Sequence, residues 1–281
     1  MGDPQLPREA ERQAAAYRLF FMTYFNFLIF FVILPAVALT LLVRPTRKEW
    51  AVLGILAVIV YVWTTPWDNY LVGSGVWYYD PALVSGLVIG WVPIEEYLFF
   101  GLQCWLTGVW TFGLKRVFAA SISRQETKAQ SSATLTAFTL PPALSLLTPH
   151  TPTALGAPAD DFAPLPFGNW NYLILILVWA MPVILGQLWL GWPAFRRRWP
   201  VYVLGISLPA VYLTLMDSIA IGSGTWTISN LQSLNLFLPF GVPIEEGVFF
   251  LVTNIMLVQG VLLFTSPEVK ARVSELMRRG A

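Results

Sequence analysis

Six stretches of this chain are long enough, and poor enough in charge, to cross a bilayer as helices. A hydrocarbon core of roughly 30 Å takes about 20 predominantly apolar residues in helical form. Residues 17–43, 50–67, 82–114, 170–192, 200–216 and 234–264 meet that measure, two of them near its short limit. Packing these stretches into a soluble core would need a charged exterior that the sequence lacks. Of its 281 residues 56% are hydrophobic and 12% charged, against about 25% charged in an ordinary globular domain. The formal net charge of +1 gives no pull toward nucleic acid, so no nucleic-acid partner is expected. The expected fold is an all-α integral membrane bundle whose solvent is the lipid bilayer.

The connection over 119–169 is rich in proline and reads, taken alone, as a linker. Basic residues near span ends collect on the cytoplasmic side, and six spans would leave ten Lys and Arg on one face and seven on the other. A seventh crossing between about Ala133 and Leu155 changes the split to 14 and 3. The expectation is therefore about seven transmembrane helices in the cell membrane, with an outside N-terminus and a cytoplasmic, basic C-terminus. In chain order the reading gives an N-terminal tail (1–16), a first three-helix repeat (17–118) and the linker with its extra crossing (119–169). A second repeat (170–264) and a basic tail (265–281) follow. The opening MGDPQLPREAERQ has acidic residues and no small-residue cleavage site, so removal of a signal peptide is not expected.

The halves repeat in detail. Asp68, Gly73, Ser74, Gly75 and Trp77 have counterparts 149 residues on, at Asp217, Gly222, Ser223, Gly224 and Trp226. Pro93, Glu95 and Glu96 have theirs 150 on, at Pro243, Glu245 and Glu246, so one residue is inserted between the two blocks. A duplicated three-span unit accounts for this, and the seventh crossing would restore the second copy to the orientation of the first.

Each copy puts Val-Pro-Ile-Glu-Glu in an apolar stretch. Glu95 lies about 13 residues into its expected span, about 20 Å along a helix and near the bilayer middle, and Glu245 matches it. A carboxyl facing lipid is costly, so these groups are expected to face the bundle interior. With no Lys or Arg inside a span to pair with, the neutral acid is favoured, and a neutral acid can donate a proton. Neighbouring residues on a helix point about 100° apart, so one glutamate of each pair is expected to address a cavity, and the sequence leaves open which. Pro93 and Pro243, placed inside these spans, are expected to kink them, making room beside the acids or serving packing alone. Asp68 and Asp217 either cap the Gly-Ser-Gly turns or partner the acids. Trp77, Trp226, Phe99 and Phe249 flank the acids, as interface residues or as ring faces able to shelter a carbocation. The single Cys104 lies in an apolar run and the single His150 among prolines, so neither a disulfide nor a metal site is expected.

The paired Pro-Ile-Glu-Glu motifs at Pro93 to Glu96 and Pro243 to Glu246, with Asp68 and Asp217 upstream, resemble those of the flavin-independent, membrane-integral lycopene beta-cyclases. The likeness covers both repeats and not the linker. It implies proton-initiated, non-redox closure of the ends of lycopene, or of a related membrane-soluble polyene, into beta-ionone rings, giving gamma- or beta-carotene without a cofactor. It also implies Glu95 and Glu245 as the acids, with Glu96 and Glu246 supporting them or accepting the proton. Two alternatives stay open: a membrane terpenoid cyclase acting on another polyene, and a proton-coupled transporter, since repeats and midplane carboxyls serve transport as well. One ring or two, one site or two, and a homodimer are likewise open.

Overall fold

The computed structural model describes residues 22–128 and 163–280. Its long helices are α1 (Tyr24–Val43), α2 (Arg47–Gly73), α3 (Ile94–Lys128), α4 (Asn171–Arg197), α5 (Trp199–Ser223) and α6 (Ile244–Thr265), followed by α7 (Pro267–Gly280). Among the described residues five helices are long and apolar enough to cross a membrane: α1, α2, α4 with the short turn before it, α5 and α6. The helix α3, with acids at its start and basic residues further along, runs among them. Outward side chains are apolar, with Leu42 79%, Val62 72% and Val178 68% exposed, as contact with lipid requires.

At the centre α3 packs against α6. Around them, α3 also touches α1, α2 and α5, while α6 touches α4, α5 and α2. Polar side chains join the central pair, as is usual where both partners are surrounded by apolar material: Gln103 donates to Thr253 (3.0 Å) and Thr107 to Asn254 (2.6 Å). Missing side chains let α2 reach both central helices. Leu53 occupies the space where a Cβ on Gly108 of α3 would stand, and Leu56 does the same at Gly260 of α6. Cys104 is buried and its thiol donates to the Leu53 carbonyl (3.8 Å).

One end of the bundle is basic. Thr46 and Glu49 cap α2 reciprocally, Arg116 of α3 reaches the Val43 carbonyl and Glu49, Lys115 donates to Thr265 (2.6 Å), and Arg198 pairs with Glu268 (3.3 Å). The other end carries the acids. There α4 begins, with the Tyr172 N–H bonded to the Gln232 carbonyl (3.0 Å). The expected crossing at 133–155 lies outside the described residues, and the described residues flanking it stand at opposite ends of the bundle.

The stretches 82–114 and 234–264, read from sequence as continuous spans, are not continuous helices. Each begins as a folded connection, and its helix starts only at Ile94 or Ile244. Proline explains the difference: lacking an N–H and fixed near φ −65°, it suits the position before a first helical turn better than a helix interior. In the first connection β2 (Val88–Ile89) pairs with β3 (Val92–Pro93), and in the second Phe237 bridges Pro243. Ile94 N–H bonds the Leu87 carbonyl and Ile244 N–H the Leu236 carbonyl, each at 2.8 Å. The inserted residue falls in the turn, where Gly90 and Trp91 in the first copy answer to Pro239, Phe240 and Gly241 in the second. Gly90 needs to be glycine, because its φ is +67° and a Cβ there would overlap Asn69, which accepts from the Trp91 N–H (2.9 Å). The hairpins pass for membrane spans because they are apolar outside as well, with Leu87 66% and Phe240 76% exposed. Consequently Glu95 and Glu245 lie in first helical turns and not midway along helices, and Pro93 and Pro243 start helices instead of kinking them.

The strands β1 (Trp77–Tyr79) and β4 (Trp226–Ile228), one after each Gly-Ser-Gly, pair antiparallel with each other, Trp77 opposite Ile228 and Tyr79 opposite Trp226. They bind the two halves together over the acidic end.

The notch at Gly108 makes a test. Gly108→Val should overpack the α2–α3 contact by about 1–3 kcal/mol and lower the thermal midpoint of the detergent-solubilised protein. Gly54→Ala, which meets nothing within 4 Å, should leave it unchanged, as measured by heating followed by size-exclusion.

Candidate active site

Six carboxyl groups converge at the acidic end, all buried: Asp68 of α2, Asp217 of α5, Glu95 and Glu96 of α3, Glu245 and Glu246 of α6. Among the described residues none forms an ion pair. Their partners are neutral donors, which differ between the two glutamates of each motif.

Glu95 Oε1 accepts from the Ser85 N–H and Glu245 Oε1 from the Leu234 N–H, each at 2.5 Å. These are equivalent contacts, 149 residues apart on the loop side. Each first glutamate thus ties its helix start to the connection leading into its hairpin. The second glutamates, one residue on and turned about 100°, point inward. Glu96 Oε2 accepts from the hydroxyls of Tyr24 (2.5 Å) and Tyr79 (3.0 Å), and Glu246 Oε1 accepts from Tyr172 (2.7 Å).

Glu96 and Glu246 face one small cavity of about 30 Å³. Asp217 lies in its wall and accepts from Trp226 Nε1 (3.0 Å). The remaining lining is aromatic: Tyr24, Phe27, Trp77, Tyr79, Phe99, Trp226 and Phe250. Tyr24 is tilted on Trp226 (4.8 Å) and stacked with Tyr79 (6.2 Å), and Phe27 meets Trp226 edge-on (5.1 Å). Asp68 is not in the wall. It lies behind Glu96, close enough for their charges to interact, and has no hydrogen-bond donor among the described residues. Neither aspartate caps its Gly-Ser-Gly turn, since both stand inside helices ahead of it.

Of the aromatic residues singled out from sequence, Trp77, Trp226 and Phe99 line the cavity. Phe249 does not; it stacks on Trp67 (5.8 Å) and leaves the wall to Phe250. Tyr24, Phe27 and Tyr172 are additions from the structure. Their signal was faint, because α1 and α4 lack a shared motif, although Tyr24 and Tyr172 stand 148 apart, one short of the repeat spacing. A dry aromatic chamber with two carboxyls on its wall can give a proton to an apolar molecule and take one back, and it can steady a positive charge in between.

A protein named lycopene beta-cyclase from Halobacterium salinarum is 34% identical over 248 residues, covering 86% of this chain and 95% of that protein. The chain belongs to the lycopene beta-cyclase family. Fungal proteins named bifunctional lycopene cyclase/phytoene synthase match as well, that of Aspergillus niger at 34% over 83% of this chain and 38% of its own length. That of Phycomyces blakesleeanus is 31% identical over 84% of this chain and 38% of its own length. No family model and no solved structure matches the chain.

The two glutamates of a motif should separate by mutation. Glu95→Ala strands the Ser85 N–H, at a cost of about 1–3 kcal/mol, whereas Glu95→Gln keeps an acceptor and should restore the thermal midpoint to nearly that of the parent. Equal melting of the two variants would remove the anchoring role.

Proposed function

We propose that this protein is a membrane-embedded lycopene beta-cyclase that closes the acyclic ends of lycopene by proton addition and removal, without redox change. The observation that carries the reading is the aromatic chamber faced by Glu96 and Glu246 in a chain of this family. A hydrocarbon that lives in the bilayer needs a dry chamber and offers no polar handle, which suits a wall of rings.

The reaction is an isomerisation. An acid protonates the terminal double bond, leaving a tertiary carbocation. The neighbouring double bond attacks it, forming the ring carbon–carbon bond and moving the charge onto the ring, and loss of a ring proton gives the beta-ionone double bond. We assign the donor role to Glu246 and the acceptor role to Glu96. Two phenols donating to one oxygen of Glu96 suit a carboxylate, while Glu246 accepts from one phenol and suits the proton. The carbocation becomes the counter-ion that the buried Glu96 otherwise lacks, and each ring facing it adds about 0.5–2 kcal/mol of attraction. Asp68 beside Glu96 and Asp217 beside Glu246 are the groups through which the proton can return. Glu95 and Glu245, which sequence resemblance favoured as acids, serve on this reading to hold the helix starts.

The chamber draws on both repeats, 17–118 and 170–264, so one chain supplies a complete site and a homodimer is not required for it. The basic end, with its Arg44, Lys115, Arg116 and Arg198, is assigned to the cytoplasmic face of the cell membrane, and the acids to the opposite side.

Pigment analysis of lycopene-accumulating bacteria expressing the chain tests the reading. The parent should yield gamma- or beta-carotene. Glu96→Gln and Glu246→Gln, at matched protein level, should each cut the cyclised fraction by roughly 10²- to 10⁴-fold, the usual worth of a positioned acid or base. Glu95→Gln and Glu245→Gln should keep most of it. Loss confined to the latter two would return the proton to Glu95 and Glu245, and unchanged lycopene with well-inserted parent protein would remove lycopene as substrate.

A further inference from the structure

Helices α2 and α4 pack side by side on the central pair and meet at Trp67, which donates to the Leu175 carbonyl (3.0 Å) and stacks on Trp179 (4.4 Å); alongside that contact a crevice of about 160 Å³ runs between them. Ile59, Val60 and Trp63 form one bank and Trp179, Val183 and Gln187 the other, over a floor that includes Phe100 and Phe249. Ile59 and Trp63 are 49% and 45% exposed on the outer surface of the bundle, so the crevice opens sideways where lipid lies. Gln103 donates to Thr253 (3.0 Å) and Gln187 to the Met256 carbonyl (3.3 Å), while Gln187 Oε1 has no hydrogen-bond partner among the described residues. Apart from that amide oxygen, the trough offered to an occupant is mostly apolar.

The trough and the chamber are separated by a wall two rings deep. The adjacent pairs Phe99–Phe100 and Phe249–Phe250 each give one ring to either side: Phe99 and Phe250 to the chamber, Phe100 and Phe249 to the crevice. Phe249 touches Phe250 (5.4 Å) and Trp77 (5.7 Å), both chamber residues, and lies parallel to Trp67 and Trp179.

The duplication provides a built-in comparison. A second crevice lies between α1 and α5, where Pro35, Leu208 and Tyr212 are the counterparts of Val183, Ile59 and Trp63. It does not reach the chamber. Its lining begins at Pro35 and Leu106, and Phe31 intervenes, with its carbonyl bonded by Tyr212 (2.9 Å) and its ring on Phe27 of the chamber (5.6 Å). Of these two crevices, the α2–α4 one adjoins the reacting end.

We propose that the α2–α4 crevice is the site of the acyclic polyene chain: the substrate enters sideways from the bilayer, lies along this trough, and passes its end group between Phe249 and its neighbours into the chamber. The assignment rests on the polyene reading above. It adds that Val60, Val183 and Trp63 fix how long and how slender a substrate must be.

The test separates binding from turnover. In a Glu96→Gln/Glu246→Gln background, purified from lycopene-accumulating cells, lycopene retained per protein is measured with and without Val183→Trp or the milder Val60→Phe in the α2–α4 crevice. Ala38→Trp in the mirror crevice serves as control. Val183→Trp should cut retention about tenfold, equivalent to two buried methylenes lost, Val60→Phe less, and Ala38→Trp not at all. In the otherwise unchanged enzyme the same crevice substitutions should raise KM for lycopene more than they lower kcat. If Val183→Trp does not insert, Val60→Phe decides. Parental retention in the crevice variants, or loss in Ala38→Trp alone, overturns the crevice while cyclisation by the parent stands. A parent that neither retains nor cyclises lycopene sinks the substrate reading and the crevice with it.

Discussion

Six carboxyl groups share an interior that no lysine or arginine reaches among the described residues, and the acidic end of the bundle is organised around that fact. A carboxylate left without donors in an apolar interior costs several kcal/mol, so each group must be neutral or surrounded by dipoles. The chain supplies dipoles from what lies nearest: two loop N–H groups for Glu95 and Glu245, three phenols for Glu96 and Glu246, an indole for Asp217. None carries a compensating charge. A cation formed inside the chamber is therefore met by groups already arranged to share a negative charge, and water, which would quench it, has little room among the rings.

The order of residues in the Pro-Ile-Glu-Glu-x-x-Phe-Phe stretch follows from this arrangement one position at a time. Proline ends the hairpin and starts the helix. Isoleucine bonds back to the hairpin through its N–H. The first glutamate turns outward to the loop and pins the helix start, and the second, a hundred degrees further round, enters the chamber. One turn on, the paired phenylalanines form the partition between chamber and crevice. Moving any of these by one residue would exchange the inward and outward groups, so the motif describes a register and not merely a composition.

Much of this was legible in the sequence. Membrane length and the absence of charge give the helices, and the repeat spacing gives the duplication. The change from 149 to 150 even marks where the copies differ, in a hairpin turn. What misled was the hairpins: Gly-Leu-Val-Ile-Gly-Trp and Leu-Phe-Leu-Pro-Phe-Gly are as apolar as a spanning helix because they too face outward, so hydropathy cannot separate them from the helices they precede. The glycines at 86, 90 and 241, all at positive φ, and the proline before each Ile-Glu-Glu were the available signals. Which glutamate of a pair faces the chamber was not legible, since that depends on where the helix starts. Tyr24 and Tyr172 escaped because a tyrosine at a span end usually belongs to the interface.

The two copies are also unlike in a way that suits a reaction with a beginning and an end. Equivalent tyrosines from α1 and α4 reach Glu96 and Glu246, but Tyr79, which gives Glu96 its second phenol, corresponds to Ile228 in the other copy. A symmetric pair of acids on one chamber would compete to donate and to accept with equal strength, and each proton given would be as readily taken back by the same group. One additional phenol removes that degeneracy. On the proposed mechanism it leaves Glu96 to hold the charge and Glu246 the proton, so a duplicated fold with two copies of one motif can present an acid and a base to the same substrate end.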